Sequence, residues 1–355
     1  MKAAVYHDRR DVRIEDVEEP AGPAAGEVLV APLWCGICGT DVHEYTDGPI
    51  VTPVDPHPLT GATNPQVLGH EFSAEVLEVG TGVVNVTAGD RASVMPLIYC
   101  GHCHYCRLGQ HHLCATMACT GLSHRWGGLA EAALVSAAQL TRIPDDLDDQ
   151  QGALVEPIAV SARGVDRAGV GPGSSVLVTG AGPIGMLSAE YAIARGATTV
   201  IVSEPNPGRR AIADALGVQA TLDPTAVDVV EAVRELTGGL GVDAAIECSG
   251  SAAALDACIR ATRSLGTVAQ TGLHVRPAPI DAFQLSLHEI TLVGTWCYPV
   301  TDWPRIIALL ASGKMDGRAA VTSSLGLDGT VDGFERLIDR QGSDVKILIN
   351  PREQT

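Results

Sequence analysis

Within the stretch CGHCHYCRLGQHHLC, four cysteines, Cys100, Cys103, Cys106 and Cys114, follow the spacing C-x2-C-x2-C-x7-C. Four thiolates this close in sequence can wrap one tetrahedral Zn2+ and leave no position open, which is the pattern of a structural metal. His102, His104, His111 and His112 lie among them and are left for surface or outer roles. A catalytic zinc needs a different set, about three protein ligands and one exchangeable position. Suitable side chains occur in WCGICGTDVHEY (Cys35 and Cys38), in GHE (His70, with Glu71 beside it) and in LVEP (Glu156). Spacing alone does not choose between the two cysteines. A third kind of chemistry is carried by GAGPIG, where Gly180, Gly182 and Gly185 form G-x-G-x-x-G directly after the apolar run VLVT. One glycine permits a tight turn, one lets the backbone approach a pyrophosphate, and one lets helix and strand pack closely. The phosphates then meet the free N–H groups of a helix N-terminus.

The elements that must position these groups fall into two textures. Up to about residue 150, short β-like runs (VLVAPLW, SAEVLEV, EAALVSA) are separated by Gly and Pro turns. From Ser174 to about Gly294, the apolar runs VLVT, TVIVS, VDAAIE, GTVAQTG and ITLVG alternate with helical segments such as GMLSAEYAIAR. That alternation predicts βαβ units and a parallel sheet. TVIVS runs into Glu204, 19 residues after Gly185. A carboxylate there hydrogen-bonds the adenosine ribose and repels a 2′-phosphate, so NAD is expected over NADP; Arg209, five residues on, is the group that would favour the phosphate instead. The Pro-rich residues 49–66 read as a long loop, flanked at both ends by chemistry-bearing residues.

Composition narrows the classes. At 355 residues the chain predicts about two domains. Its 24 Lys plus Arg against 42 Asp plus Glu give a net charge of −18, a surface that repels nucleic acid and anionic lipid. The zinc-finger reading of the lobe fails on the same ground, because Arg107 is the only Lys or Arg within it. The longest uncharged run, Ala168 to Ala189, is 22 residues but holds six glycines and two prolines, so it is assigned to the dinucleotide turn rather than to a membrane span. No secretory signal is read at the N-terminus, ten cysteines then favour metal or thiol chemistry over disulfides, and a cytoplasmic location is expected.

Taken in order, GICGTDVHEY, GHE, the four-cysteine lobe, LVEP and GAGPIG resemble the zinc-dependent medium-chain alcohol dehydrogenases over essentially the whole chain. Within that family, CGICGTDVHEY continuing into DGPI, the loop motif HPLT (57–60), GHEFS and GALVEP are similar to the (R,R)-2,3-butanediol dehydrogenase branch. The resemblance implies an α/β fold: a Rossmann doubly wound parallel sheet domain (158–296) and a β-rich GroES-like catalytic domain (1–157), with residues 297–355 returning to the latter. It implies a catalytic zinc on Cys38, His70 and Glu156 with Glu71 near, Cys35 being a buried passenger, and a structural zinc in the lobe. It implies a proton relay through Thr40 and His43, with Glu71 and Glu156 as acidic groups of the active site. Cofactor contacts are implied at Gly180, Gly182, Pro183, Ile184 and Gly185, at Glu204 and Arg209, at Thr271, Gly272 and Leu273, and at Thr295 and Trp296. The expected reaction is NAD-dependent interconversion of 2,3-butanediol and acetoin, or of acetoin and diacetyl, by a homodimer or homotetramer. L-threonine, polyols and simple secondary alcohols are the alternative substrates. A nucleotide-binding scaffold without turnover is the reading from another class.

Overall fold

The computed structural model describes residues 1–339 and 341–353. The chain divides into two compact units, one made of Met1–Glu156, Pro299–Asp339 and Lys346–Thr355, the other of Pro157–Tyr298 and Arg340–Val345. The elements that carry the site are, in chain order, β1 (Glu27–Gly36), α1 (Gly39–Asp47), β2 (Glu71–Val79), β3 (Arg91–Val94), β4 (Ala133–Ser136), β5 (Leu140–Arg142), α2 (Asp149–Arg167), β6 (Ser175–Thr179), α3 (Pro183–Ala194), β7 (Thr199–Ser203), α4 (Pro207–Ala215), β8 (Ala220–Leu222), β9 (Val242–Glu247), β10 (Thr262–Gln270), β11 (Thr291–Gly294), β12 (Val321–Gly326) and β13 (Lys346–Asn350).

Among the described residues of the first unit, a seven-stranded sheet runs in the order β5-β3-β2-β1-β13-β12, with β4 also paired to β1. The β1–β2 register places Gly36 opposite Glu71, and it shifts between Pro32 and Trp34, where proline has no N–H to give the ladder. A side chain at Gly36 would collide with the Glu71 carboxylate, so this strand end admits glycine for reasons of space. Tyr6, Phe72, Leu129 and Phe334, all fully or nearly fully buried, belong to the apolar core beneath. Helix α1 starts at a capping box: the Asp41 carboxylate accepts the Cys38 N–H at 2.9 Å, and its charge favours the helix N-terminus. The helix stops at Gly48, whose N–H donates to the Glu44 carbonyl, and Pro49 follows.

The second unit holds a wholly parallel six-stranded sheet in the order β8-β7-β6-β9-β10-β11. Strand order reverses between β6 and β9, which is where open α/β sheets bind ligands, beyond the carboxyl ends of the strands. Val176, Leu177 and Val178 are fully buried, as continuous apolar strands of parallel sheets are. The turn after β6 needs its glycines: Gly180 adopts φ +89, and a side chain at Gly185 would strike the Gly180 carbonyl. No helix among the described residues is long and apolar enough to cross a membrane; the uncharged run at 168–189 is divided between the turn after α2, β6, the glycine turn and the start of α3.

Residues 341–345 cluster with the second unit, a short return that sequence patterning did not single out. The carbonyl of Gly342 accepts from Asn206 Nδ2 at 3.0 Å and that of Asp344 from an Arg209 guanidinium nitrogen at 2.7 Å. The next residues enter the first unit. Lys346, at the start of β13, is 1% exposed, and its Nζ donates to the Ile37 carbonyl at 2.9 Å and to Glu71 Oε2 at 2.5 Å. Burial alone would lower its pKa; Glu71 and Cys38 outweigh that and hold it raised. Replacing Lys346 by Met leaves a buried carboxylate without its cation, so urea unfolding of the metal-free protein should show a loss of about 3–5 kcal/mol, the range for breaking a buried pair. The double variant Lys346→Met with Glu71→Gln should recover part of that loss.

Candidate metal and dinucleotide sites

Cys38, His70 and Glu71 each bring a ligand atom within 4.8 Å of the other two. Cys38 is the residue that caps α1, while His70 and Glu71 straddle the start of β2. Adjacent side chains of a regular strand point apart. That rule does not govern this pair, because His70 precedes the strand and Gly69, with φ +99, turns the chain just before it. Both side chains therefore reach one place. Glu156, expected as the third ligand ahead of Glu71, lies outside this three-residue cluster. It is buried nonetheless, and its charge acts on both Lys346 and Cys119. The other cysteine of the pair, Cys35, is fully buried; burial pushes its thiol well up, and it stays a packing group.

The donor set suits a divalent cation. Burial pulls the His70 pKa down, but Asp41 and Cys38 more than offset this and hold it well above the ordinary value, so the surroundings favour a positive charge at the ring. Asp41 is 0% exposed, and its Oδ1 stands 3.4 Å from His70 Nδ1; neither atom has a hydrogen-bond partner within the protein. A carboxylate behind a histidine orients the ring and raises its basicity towards a metal. Burial, with Glu71 next, raises the Cys38 thiol. Thr40 Oγ1 lies 3.7 Å from Cys38 Sγ, and His43 follows one turn along α1, half-buried.

Cys100, Cys103, Cys106 and Cys114 also have their sulfurs within 4.8 Å of one another, and all four are free thiols. The Cys103 N–H donates to Cys100 Sγ and the Cys100 N–H to Cys114 Sγ, each at 3.3 Å. N–H donation from the backbone lowers Cys103 to about 6, while burial and the adjoining thiols push Cys106 up to about 12. Such a set matches a closed four-sulfur site. The four histidines stand outside the sulfur cluster: His111 stacks on Tyr99 at 4.1 Å, His104 meets Tyr105 edge-on, His102 bonds the Cys100 carbonyl, and His112 is buried.

In the second unit Gly182 caps α3 and Pro183 occupies its first turn, where a missing N–H costs nothing. The Ile184 carbonyl accepts from Ser161 Oγ at 3.1 Å. Glu204 is 6% exposed, with Oε2 accepting the Ala181 N–H at 2.7 Å and Oε1 the Asn206 N–H at 2.9 Å. Its carboxylate is thereby locked beside the glycine turn. Arg209 is turned to the Asp344 carbonyl, and Arg210 to the carbonyls of Glu204 and Pro205 and to Asp223. Thr271 and Gly272 both donate backbone N–H groups to the Glu247 carbonyl, and Thr295 Oγ1 donates to Thr271 Oγ1 at 3.2 Å. Leu273 and Trp296 are 48% and 46% exposed, large apolar groups left uncovered within the unit.

Several organising residues escaped the sequence reading. Glu247, fully buried, accepts from Ser249 N, Ser249 Oγ and Gly250 N and pairs with His274 Nε2 at 3.0 Å, which fixes the loops after β9 and β10. Its place at the end of VDAAIE, facing the switch point, was the available signal. Tyr45 packs in the core with its ring tilted against Phe334, the centroids 5.3 Å apart. Trp126 instead lines a cavity of about 470 Å3 with Leu59, Thr60, Met95 and Leu97; no residue of the metal cluster lines it.

Comparison with known proteins agrees with this division of labour. Residues 24–145 match the alcohol dehydrogenase GroES-like domain and residues 183–312 the zinc-binding dehydrogenase family. The chain is 40% identical over 354 residues to the (R,R)-butanediol dehydrogenase of Bacillus subtilis (strain 168), covering 99% of this chain and 100% of that one. Among solved structures it resembles 2R,3R-butanediol dehydrogenase from Bacillus subtilis, with a TM-score of 0.92, 39% identity and 99% coverage of both chains. It also resembles a zinc-binding dehydrogenase from Sinorhizobium meliloti 1021 bound to NADP, with a TM-score of 0.89, 34% identity and 99% coverage of both. With full-length relatives at this identity and both halves matched, the chain belongs to the zinc-dependent medium-chain alcohol dehydrogenases.

Proposed function

We propose that this oxidoreductase interconverts 2,3-butanediol and acetoin, and acetoin and diacetyl, by hydride transfer to and from NAD, with one zinc in the Cys38 cluster and another in the four-thiol lobe. The observation that carries the reading is the convergence of a half-buried thiol, a buried imidazole and a buried carboxylate on one point, with the Thr40 hydroxyl 3.7 Å from that thiol. Zinc held there supplies Lewis acidity, stabilising the negative charge that develops on an alcohol oxygen or polarising a carbonyl. Bound NAD supplies the hydride acceptor.

The chain's own groups manage the proton. Oxidation of the alcohol breaks a carbinol C–H bond, whose electron pair leaves as hydride, and an O–H bond, whose proton needs a path to solvent. Thr40 Oγ1 accepts that proton by hydrogen bond and passes its own onward. His43, on the same helix and half-buried, offers an imidazole nitrogen suited to collect it. Asp41 keeps the His70 ring oriented, and Lys346 holds the Glu71 carboxylate in place. In reduction the same groups run in reverse and deliver the proton to the product oxygen.

NAD is favoured by the end of β7. Glu204 places a negative charge beside the glycine turn, and Arg209 and Arg210 are both engaged by backbone carbonyls rather than turned outward to receive a phosphate. The diol is favoured over other alcohols by the full-length likeness to butanediol dehydrogenases.

Purified enzyme assayed with the three 2,3-butanediol stereoisomers, threonine and sorbitol should turn over a butanediol most efficiently and show a lower KM for NAD than for NADP, read from absorbance of the reduced cofactor. Threonine or sorbitol as the preferred substrate, or NADP as the preferred cofactor, sinks the corresponding half of the reading. Cys38→Ser should abolish turnover while NAD binding, followed by fluorescence, stays near wild type; loss of both points to a folding defect. Cys103→Ser should release one zinc per chain and lower the melting temperature before it alters substrate preference, and unchanged melting with unchanged zinc contradicts the structural assignment.

A further inference from the structure

Glu44 takes no part in the chemistry above, yet it stands next to His43 on α1 and is fully buried. A carboxylate removed from water is costly unless hydrogen bonds compensate it, so its partners show what it is for. The Ile50 N–H donates to both carboxylate oxygens, at 3.1 and 3.0 Å, the Val51 N–H to Oε1 at 2.5 Å, and the Thr52 hydroxyl to Oε2 at 2.8 Å. Thr52 Oγ1 in turn accepts from Asn64 Nδ2 at 3.3 Å, and the Asn64 N–H donates to the Pro53 carbonyl at 2.9 Å. The two ends of the loop at 49–66 are thus closed onto one carboxylate of the helix that carries Thr40 and His43.

The far side of the same loop is tied down as well. Thr60 Oγ1 donates to the Ser123 carbonyl at 2.7 Å. Ser123 belongs to a tight turn, its N–H donating to the Cys119 carbonyl at 2.8 Å and its Oγ accepting the Cys119 N–H at 2.9 Å. That turn abuts the metal cluster: a side chain on Gly121 would collide with the backbone of Gly69, the residue before His70, and His70, Glu156, Asp41 and Cys38 all act on the Cys119 thiol. The loop is therefore strung between the relay helix and the turn against His70, with Glu44 as its inner fastening.

We propose that Glu44 is a positioning residue for substrate selection. By fixing loop 49–66 to α1, it holds the loop in register with Thr40 and His43, and so sets how tightly the diol binds rather than how fast hydride moves. The proposal rests on the diol reading above.

The test uses zinc-loaded, full-length protein. In Glu44→Gln, where an amide N–H2 meets N–H donors, the KM for (R,R)-2,3-butanediol should rise about tenfold while kcat changes less than about threefold, the split expected when binding shared equally by ground state and transition state is lost. KM for NAD and for 2-propanol, which carries no second hydroxyl, should stay at wild-type values. The Ile50 and Val51 amides should exchange hydrogen faster. Thr52→Val should act in the same direction but less, and the double variant should be no worse than Glu44→Gln, as residues in one network are not additive; Thr52→Val and Asn64→Ala carry the test if Glu44→Gln does not fold. An active Glu44→Gln enzyme with unchanged diol KM overturns the proposal alone. An equal fall in kcat for every substrate overturns it in favour of a scaffold role. A wild-type enzyme that oxidises no butanediol instead removes the reading beneath it, whatever the amide exchange shows.

Discussion

Charge balance in a buried place governs the first unit. Asp41, Glu71 and Glu156 are all buried, and Glu71 and Asp41 each stand against a group able to carry positive charge, Lys346 and His70. Cys38 can ionise only against its burial and the nearby Glu71, which raise its thiol, and an ion left uncompensated in a low-dielectric interior is among the most expensive features a fold can carry. A divalent cation is the economical remedy. The protein need not assemble a metal site at the moment of binding, because the strands and the α1 cap have already brought its donors together. The upward shifts of Cys38 and His70 express the same pressure from the side of the protons.

The dinucleotide unit solves an opposite problem with almost no charge. Its turn offers backbone N–H groups and space, the space being won by glycines at 180 and 185, and one carboxylate, Glu204, is clamped at the margin where a ribose would lie. Glu247 performs the corresponding task for the loops after β9 and β10, gathering backbone donors about a buried anion. In this chain, buried carboxylates recur as fasteners of loops: Glu44, Glu204 and Glu247 each hold two or more N–H groups of segments that regular strands and helices leave unpaired.

What could be read from sequence was what is local. The four lobe cysteines lie within fifteen residues of chain, and the glycine turn sits between one strand and one helix, so spacing and periodicity were enough to expose them. The parallel sheet followed from alternation of short apolar runs with helices, whereas its strand order depends on long-range pairing that alternation does not specify. Lys346 was invisible because its partner, Glu71, is 275 positions away and nothing near KILIN hints at an ion pair. Glu71 clusters with His70 although the two are adjacent in sequence, because the bend at Gly69 comes first and strand alternation begins only after His70. Nothing in the spacing around Asp41 and Glu44 marks them as buried; tertiary packing turns them inward.

The discontinuity of both units has its own consequence. Asn206 and Arg209 depend on carbonyls at 342 and 344, although the rest of their unit ends at Tyr298. A gene fragment stopping at Tyr298 would encode a nucleotide-binding half missing part of its own frame, and one stopping at Asp339 would encode a metal-binding half without β13. Neither half is a cassette that recombination could lift out whole, so grafting either onto another partner must carry the chain from Gly342 onward along.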